Sequence, residues 1–296
     1  MSRRTAFIAI VGRPNVGKST LLNAILGEKV AIVSQKPQTT RNRITGIHTM
    51  GDDQYVFLDT PGIHQPRTRL DDYMVKTTKN TIGEVDAAIL VVEARETVGK
   101  IEAALIDEFR ARRLPAILVI NKTDTVNASQ IAKTILAYTA AFPFDAVIPI
   151  SAKRGEGIEA VIDECRIYLS ESQWYFEADE ITDQPERQIA AEVIREKMLR
   201  ILSEEVPHGV AVTIEEFTES DTLLKVRAEI YCEKASHKGI IIGKNGMTLK
   251  TIGTYAREDL ERFFGVKVFL DLWVRVKENW RDNTAILNNF GYREEG

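Results

Sequence analysis

The chain has 296 residues, of which 44% are hydrophobic and 28% charged, proportions typical of a globular protein with one large domain or two ordinary ones. A net charge of −4 excludes a generally basic nucleic-acid binder, so such a partner would need a local basic patch. The apolar runs are too short to span a bilayer, and the two distant cysteines suggest neither a disulfide framework nor a metal site, which favours a cytoplasmic protein.

The first 170 residues alternate short apolar strands with helix-length stretches. The predicted strands are Ala6–Val11, Arg43–Met50, Tyr55–Leu58, Ala87–Val92, Ala116–Ile120 and Ala146–Ile150. The clearest helical patterns are Lys18–Leu26, Lys100–Arg112 and Ile158–Leu169. Continuous apolar runs such as AAILVV indicate strands buried on both faces. The pattern therefore predicts an α/β domain with a mostly parallel sheet covered by helices.

The pattern changes after residue 170. An acidic segment with one proline is followed by elements in the order α-β-β-α-α-β, which predicts a second, α+β domain. These elements are Glu186–Glu205, Val210–Phe217, Leu223–Glu233, a short helix before Gly243, Thr248–Phe264 and Lys267–Lys277, with a further short helix at Ala285–Phe290. We predict domains at 1–172 and 186–277, a linker at 173–185 and a C-terminal tail at 278–296.

A glycine-rich segment lies between the first predicted strand and the first predicted helix. Residues 12–19, GRPNVGKS, match the P-loop pattern G-x-x-x-x-G-K-[ST], in which N–H groups at a helix N-terminus face phosphates. Lys18 would reach the β- and γ-phosphates, and the Ser19 hydroxyl would ligate Mg²⁺. The alternative is a glycine-rich turn with a surface lysine. The predicted nucleotide-binding residues of this loop are Gly12, Asn15, Val16, Gly17, Lys18, Ser19 and Thr20.

The motif Asp59-Thr-Pro-Gly62 directly follows a predicted strand. An acid at the carboxyl end of a strand, in the same sheet as a P-loop, is placed to hold Mg²⁺. Gly62 has no Cβ, so its N–H can approach the γ-phosphate closely. Alone, this motif could be only a tight turn, but after a P-loop it is typical of a γ-phosphate sensor.

Two later motifs also follow strands and indicate which base is bound. The Asp124 carboxylate of NKTD can accept from the ring N–H and the exocyclic amine of guanine, a donor pair that adenine lacks. The backbone N–H groups of the SAK motif could hold the guanine O6. The residues predicted to bind the base are Asn121, Lys122, Asp124, Ser151, Ala152 and Lys153. The expected ligands are therefore GTP and GDP.

These four motifs resemble those of the translation-factor-related GTPases across the whole first domain. In that family a threonine between the P-loop and D-x-x-G closes over Mg²⁺ and the γ-phosphate. The segment 37–41, PQTTR, offers Thr39 and Thr40, of which we favour Thr40. The resemblance implies Ser19, Thr40 and Asp59 as metal ligands, and Lys18, Thr40 and Asn15 as catalytic residues.

One position departs from the pattern of Ras-like GTPases. Ile63 stands where those proteins have the water-orienting glutamine, so another group must orient the attacking water and intrinsic hydrolysis should be slow. Asn15 is similar to the asparagine that helps to hold K⁺ in several GTPases without that glutamine. The resemblance therefore suggests that K⁺ stimulates hydrolysis in addition to the requirement for Mg²⁺.

A second glycine- and lysine-containing loop lies within residues 237–250, HKGIIIGKNGMTLK. It lacks the P-loop spacing and the Ser or Thr that holds Mg²⁺, which excludes a second nucleotide site. GKNG instead matches the G-x-x-G of KH domains, where a loop between two helices clamps a single-stranded backbone. Residues 234–257 contain five basic and no acidic side chains, which favours contact with phosphates. The predicted RNA-binding residues are Lys238, Ile241, Ile242, Gly243, Lys244, Asn245, Gly246 and Lys250.

Two assignments in this half leave alternatives open. The three isoleucines at 240–242 either line an apolar groove for bases or pack in the helix core. Trp280 and Arg281 in the tail either contact RNA or pack on their own domain.

The combination of a P-loop GTPase domain and a KH domain resembles a family of bacterial GTPases over nearly the whole chain. The resemblance implies a monomeric GTPase that binds the 3′ end region of small-subunit ribosomal RNA and assists assembly of the 30S-type subunit. It also implies a cytoplasmic location that allows peripheral contact with the inner face of the cell membrane. The rival interpretations are an RNA-binding scaffold whose nucleotide only stabilises the fold, and a GTPase that acts at membranes. Intact Lys18, Ser19 and Asp59 argue against the first rival.

Overall fold

Buried apolar runs in the first half of the chain form one sheet in a computed structural model that describes residues 2–293. Its strands are β1 (Arg4–Val11), β2 (Ile44–Met50), β3 (Asp53–Asp59), β4 (Ala87–Glu93), β5 (Ala116–Asn121), β6 (Ala146–Pro149) and β7 (Ser170–Glu171). They lie in the order β2-β3-β1-β4-β5-β6, with β7 paired antiparallel to β1. Pairing is parallel from β3 to β6 and antiparallel only between β2 and β3 along this path. The prediction of a mostly parallel sheet is confirmed.

Helices cover both faces of this sheet. They are α1 (Lys18–Leu26), α2 (Arg69–Gly83), α3 (Lys100–Arg112), α4 (Ala128–Ala141) and α5 (Ile158–Cys165). The sequence of β4 is a continuous apolar run because both faces of this strand are buried. Ile89 and Val91 belong to the core on the α1 and α5 side, while Ala88, Leu90 and Val92 belong to the core on the α3 and α4 side.

The chain divides into two units, one up to residue 66 plus 71–183, and one of 67–70 plus the residues from 184 onward. The segment that we expected to be a linker is bonded to the first unit over much of its length. The Gln54 side-chain oxygen accepts hydrogen bonds from the backbone N–H groups of Tyr175 (3.0 Å) and Phe176 (3.2 Å). The N–H of Ile47, on the edge strand β2, donates to the carbonyl of Ile181 (2.9 Å). This segment therefore covers a sheet edge that would otherwise present unpaired backbone groups.

The second unit has the predicted α-β-β-α-α-β order. Its elements are α6 (Glu186–Ile201), β8 (Val210–Glu219), β9 (Leu223–Cys232), α7 (Ala235–Ile242), α8 (Met247–Phe264), β10 (Lys267–Val276) and α9 (Thr284–Asn289). The strand order is β10-β9-β8, with β9 antiparallel to β8 and parallel to β10. Alternate residues of β9, from Leu224 to Cys232, are buried in the core formed with α6, α7 and α8.

The tail after β10 folds back onto the second unit. Trp280 is fully buried, and its indole Nε1–H donates to the backbone carbonyl of Gly209 at 3.0 Å. Its ring also contacts the rings of Phe290 and Tyr292. Of the two alternatives for Trp280, packing on its own domain is the correct one. Within residues 2–293, no helix combines the length and the apolar character needed to cross a bilayer.

Candidate functional site

The P-loop connects β1 to α1, and Gly17 is the last residue before the helix. Gly17 adopts φ 99°, and a Cβ at this position would lie 2.2 Å from Nδ2 of Asn121. Only glycine allows this approach of the loop to the end of β5. The first N–H groups of α1 have no intrahelical partner, so they and the helix dipole favour an anion at this position.

Lys18 and Asp59 are buried charged groups in the centre of this site. The Lys18 ammonium donates to the backbone carbonyls of Gly12 (3.2 Å) and Arg13 (2.9 Å), and burial lowers its pKa to about 8. Burial raises the pKa of Asp59 to about 6, although Lys18 and neighbouring hydroxyls oppose this shift. An anion beside Lys18 and a cation beside Asp59 would each stabilise the charged form. The site thus has the electrostatic character expected of a phosphate and metal site.

Two hydroxyls converge on the Asp59 carboxylate. The Ser19 hydroxyl donates to Asp59 Oδ2 at 2.5 Å and lies 2.8 Å from the hydroxyl of Thr40, which is itself 3.5 Å from Oδ2. The other carboxylate oxygen, Oδ1, is buried and has no hydrogen-bond partner among the described residues. Hydroxyl and carboxylate oxygens are ligands suited to Mg²⁺, so this trio fits the expected ion. Thr39 instead donates to the carbonyl of Lys36 at 2.7 Å, and the structure brings Thr40 to the site.

Asn121 joins three of the predicted motifs. Its Nδ2 donates to the carbonyl of Val16 in the P-loop (2.8 Å), and its Oδ1 accepts from the N–H of Ala152 (3.0 Å). The next residue, Lys122, donates to the carbonyl of Asn15 (2.7 Å) and pairs with Glu93 at the end of β4. These bonds hold the phosphate-binding and base-binding segments together. Sequence patterns did not indicate Glu93, because its role depends on the pairing of β4 with β5.

Asp124 is held as a hydrogen-bond acceptor at the base-binding end. The Ser151 hydroxyl donates to its Oδ1 at 2.8 Å, and this bond keeps the pKa of Asp124 below its usual value. Two of the three N–H groups that we expected to hold the guanine O6 have partners within the unit. That of Ser151 donates to Glu156 at 3.0 Å, and that of Ala152 donates to Asn121. These two donors take part in a β-bridge and in the Asn121 bond, and the contact of the SAK segment with the guanine O6 stays a prediction.

Asn15 lies in the P-loop with φ 65°, and its side-chain amide donates to the carbonyl of Gln35 at 2.7 Å. It thus connects the P-loop to the chain just before the 37–41 segment that carries Thr40. Arg13 is a P-loop residue that we had not singled out. Its guanidinium pairs with Glu102 of α3, a carboxylate that is fully buried. No local motif indicates Glu102, since only the packing of α3 brings it to the loop.

The GKNG turn joins α7 to α8 in the second unit, as predicted. Gly243 has φ 72°, and a Cβ there would lie 2.1 Å from the hydroxyl of Thr248. Lys244, Asn245 and Lys250 are exposed, while Lys238, Ile242 and Gly246 are partly exposed. Ile241 is fully buried in the core and presents no surface to RNA, so its inclusion among the RNA-binding residues was wrong. The half-exposed Ile240 is the better apolar candidate.

Comparison with known proteins agrees with both domain types. A family model described as a 50S ribosome-binding GTPase matches residues 7–122, and a KH domain model matches residues 205–281. The chain is 47% identical to GTPase Era of Ruminiclostridium cellulolyticum over 99% of each chain. It is 49% identical to GTPase Era of Caldanaerobacter subterraneus subsp. tengcongensis, again over 99% of each chain.

Solved structures give the same result. Era in complex with MgGDPNP and nucleotides 1506–1542 of 16S ribosomal RNA is similar with a TM-score of 0.94 and 38% identity, over 99% of this chain and 100% of that one. A tyrosine-to-alanine variant of Aquifex aeolicus Era bound to GDP·AlF4⁻ gives the same TM-score and identity, over 98% of this chain and 100% of that one. With full-length relatives well above 30% identity and both domains matched, the chain belongs to the Era family of GTPases.

Proposed function

We propose that this protein hydrolyses GTP and binds the 3′ end region of small-subunit ribosomal RNA, and that it assists assembly of that subunit. The nucleotide half rests on one observation, the bonding of Asn121 to both Val16 and Ala152, which assembles separate motifs into one site. The RNA half rests on the exposed GKNG turn and on the full-length similarity to an Era protein bound to 16S ribosomal RNA.

In this proposal the chain binds and orients the nucleotide. Lys18 and the N–H groups at the start of α1 bind the phosphates, and Asp124 binds guanine. Ser19, Thr40 and Asp59 would hold Mg²⁺, which neutralises charge on the phosphates when it is bound. Gly62 would offer its N–H to the γ-phosphate. Ile63 cannot orient the attacking water, so slow intrinsic hydrolysis is expected.

The test uses an RNA oligonucleotide with the sequence of the 16S 3′ end. We expect tight binding by the wild-type protein and strong loss for a variant with Lys244→Asp and Asn245→Asp, because both side chains are exposed and the change reverses the local charge. Aspartate tolerates the left-handed backbone of Asn245 (φ 53°), so the turn should keep its shape. Unchanged RNA affinity in this variant would exclude the KH turn as the RNA site.

Co-sedimentation with separated ribosomal subunits distinguishes the small-subunit partner from the large one. We expect the protein to sediment with small subunits, and sedimentation with large subunits alone would contradict the proposal.

Single-turnover hydrolysis of GTP separates the proposal from a scaffold whose nucleotide only stabilises the fold, since such a scaffold would retain GTP unhydrolysed.

We also propose that K⁺ stimulates hydrolysis through Asn15. The expected result is faster GTP turnover in potassium than in sodium buffer at equal ionic strength, and loss of this difference in an Asn15→Ala variant. Equal turnover of the wild type in both buffers would exclude a role for K⁺.

We further propose a cytoplasmic location in which any contact with the membrane is peripheral. Cell fractionation with and without a high-salt wash tests this location.

A further inference from the structure

One histidine contacts both of the segments that would surround the γ-phosphate. His64 follows the DTPG motif, and its Nδ1 lies 3.1 Å from the carbonyl oxygen of Gly62. Its Nε2 lies 2.8 Å from Oδ1 of Asp71, a carboxylate in the first turn of α2 that is only 3% exposed. Both neighbours are acceptors, so a ring that donates from both nitrogens satisfies both contacts.

The same carboxylate oxygen also receives a bond from the segment that carries Thr40. The Gln38 side-chain amide donates to Asp71 Oδ1 at 2.7 Å, and its nitrogen lies 3.2 Å from Nε2 of His64. Gln38 has φ 59°, a left-handed conformation that L-residues other than Asn and Asp seldom adopt. Gln38 is thus held in an unfavourable backbone conformation beside the His64–Asp71 pair.

The position of Thr40 shows whether the 37–41 segment is open or closed over the nucleotide site when these bonds are present. Thr40 is two residues after Gln38, only 6% exposed, and its hydroxyl lies 2.8 Å from that of Ser19. The 37–41 segment is therefore closed over the site expected to hold Mg²⁺. Contacts with a γ-phosphate exist only for GTP, so a device that holds this closed arrangement favours GTP over GDP.

We propose that His64, Gln38 and Asp71 form a latch that stabilises the closed, GTP-selective arrangement of the nucleotide site, with His64 as a positioning residue. The latch rests on the proposed GTPase function and adds the means by which this chain distinguishes GTP from GDP. His64 acts through Gly62 on one side of the γ-phosphate position and through Asp71 and Gln38 on the other. Its removal takes away the contacts with Gly62, Asp71 and Gln38 without touching Lys18 or Asp124.

The test measures the dissociation constants of a non-hydrolysable GTP analogue and of GDP for the wild type and a His64→Ala variant. The variant loses the charge-assisted hydrogen bond to Asp71, which belongs to the closed arrangement. We therefore expect analogue binding to weaken by about tenfold. Affinity for GDP should change by less than about twofold, which also shows that the variant is folded. His48→Ala is the matched control, since it removes another partly exposed histidine of the same unit, and its two constants should match the wild type.

Gln38→Ala provides a second variant that alters only a loop side chain. It should also weaken binding of the analogue more than binding of GDP. If His64→Ala loses GDP binding as well, the Gln38→Ala variant decides whether the latch exists. Equal weakening of the analogue and of GDP in Gln38→Ala, or an unchanged preference for the analogue over GDP in both variants, would overturn the latch while leaving the GTPase function intact. A wild-type protein that bound neither guanine nucleotide would overturn the proposed function and the latch together.

Discussion

At the scale of single residues, the nucleotide site depends on groups whose charge is fixed by a few contacts. Asp124 illustrates this, because one hydroxyl bond from Ser151 favours its ionised form and leaves it only as an acceptor. Guanine offers two donors on the edge that such a carboxylate would meet. Base selection is therefore expected to reside in the charge and acceptor character of one side chain.

The Asp124→Asn variant tests this assignment. An amide presents its own N–H groups to the donors of guanine, so we expect the affinity for GTP to fall by about 100-fold or more. Xanthosine triphosphate has a carbonyl in place of the exocyclic amine and should bind the variant better than GTP does. Equilibrium binding of both nucleotides to both proteins is the measurement, and a variant that still preferred GTP would show that Asp124 does not bind the base.

The residues that the sequence could not indicate have a common physical feature. P-loop, DTPG, NKTD and SAK residues are recognisable because their chemistry requires a fixed local spacing. Glu102 and Asp71 have no such spacing, since α3 and α2 bring them to the site through packing. The prediction that Ile241 contacts RNA was wrong for a related reason. In a run of three isoleucines on a helix, only the structure shows which one faces the core.

At the scale of elements, periodicity predicted most strands because parallel strands buried on both faces have continuous apolar sequences. Helix α2 is harder to predict from sequence periodicity. Threonines 78 and 81 are buried on it beside Met74 and Ile82, so its buried face is not apolar in sequence. The two-residue strand β7 gives no sequence signal at all. Its pairing with β1 is a non-local contact that no local pattern encodes.

The tail of the second unit supports a stability prediction at this scale. Trp280→Ala removes a fully buried ring and its hydrogen bond to Gly209, and we expect a loss of about 3–5 kcal/mol in the free energy of unfolding of that unit. Trp273→Ala is the matched control, because that ring is 57% exposed, and it should cost less than about 1 kcal/mol. Urea denaturation followed by circular dichroism provides both values. Similar losses in the two variants would contradict the packing role of the tail.

At the scale of the whole molecule, charge is distributed unevenly. The chain carries a net charge of −4, yet residues 234–257 contain only basic charged side chains. Exposed Lys244, Lys250 and Arg257 lie in this stretch, which includes the GKNG turn. An RNA partner should therefore be bound by a local field, and its affinity should fall steeply with salt although the protein as a whole is acidic.

Salt dependence makes this argument quantitative. Each phosphate contact that is lost lowers the slope of log affinity against log salt by about 0.7 for a single strand. Lys244→Gln should reduce the slope by about that amount and weaken binding most at low salt. Lys225→Gln, a change of an exposed lysine on β9, should leave the slope unchanged because this residue lies outside the basic stretch. Equal slopes for the wild type and Lys244→Gln would show that Lys244 contacts no phosphate, whereas equal reductions in both variants would show that the general charge of the unit, and not the GKNG turn, attracts the RNA.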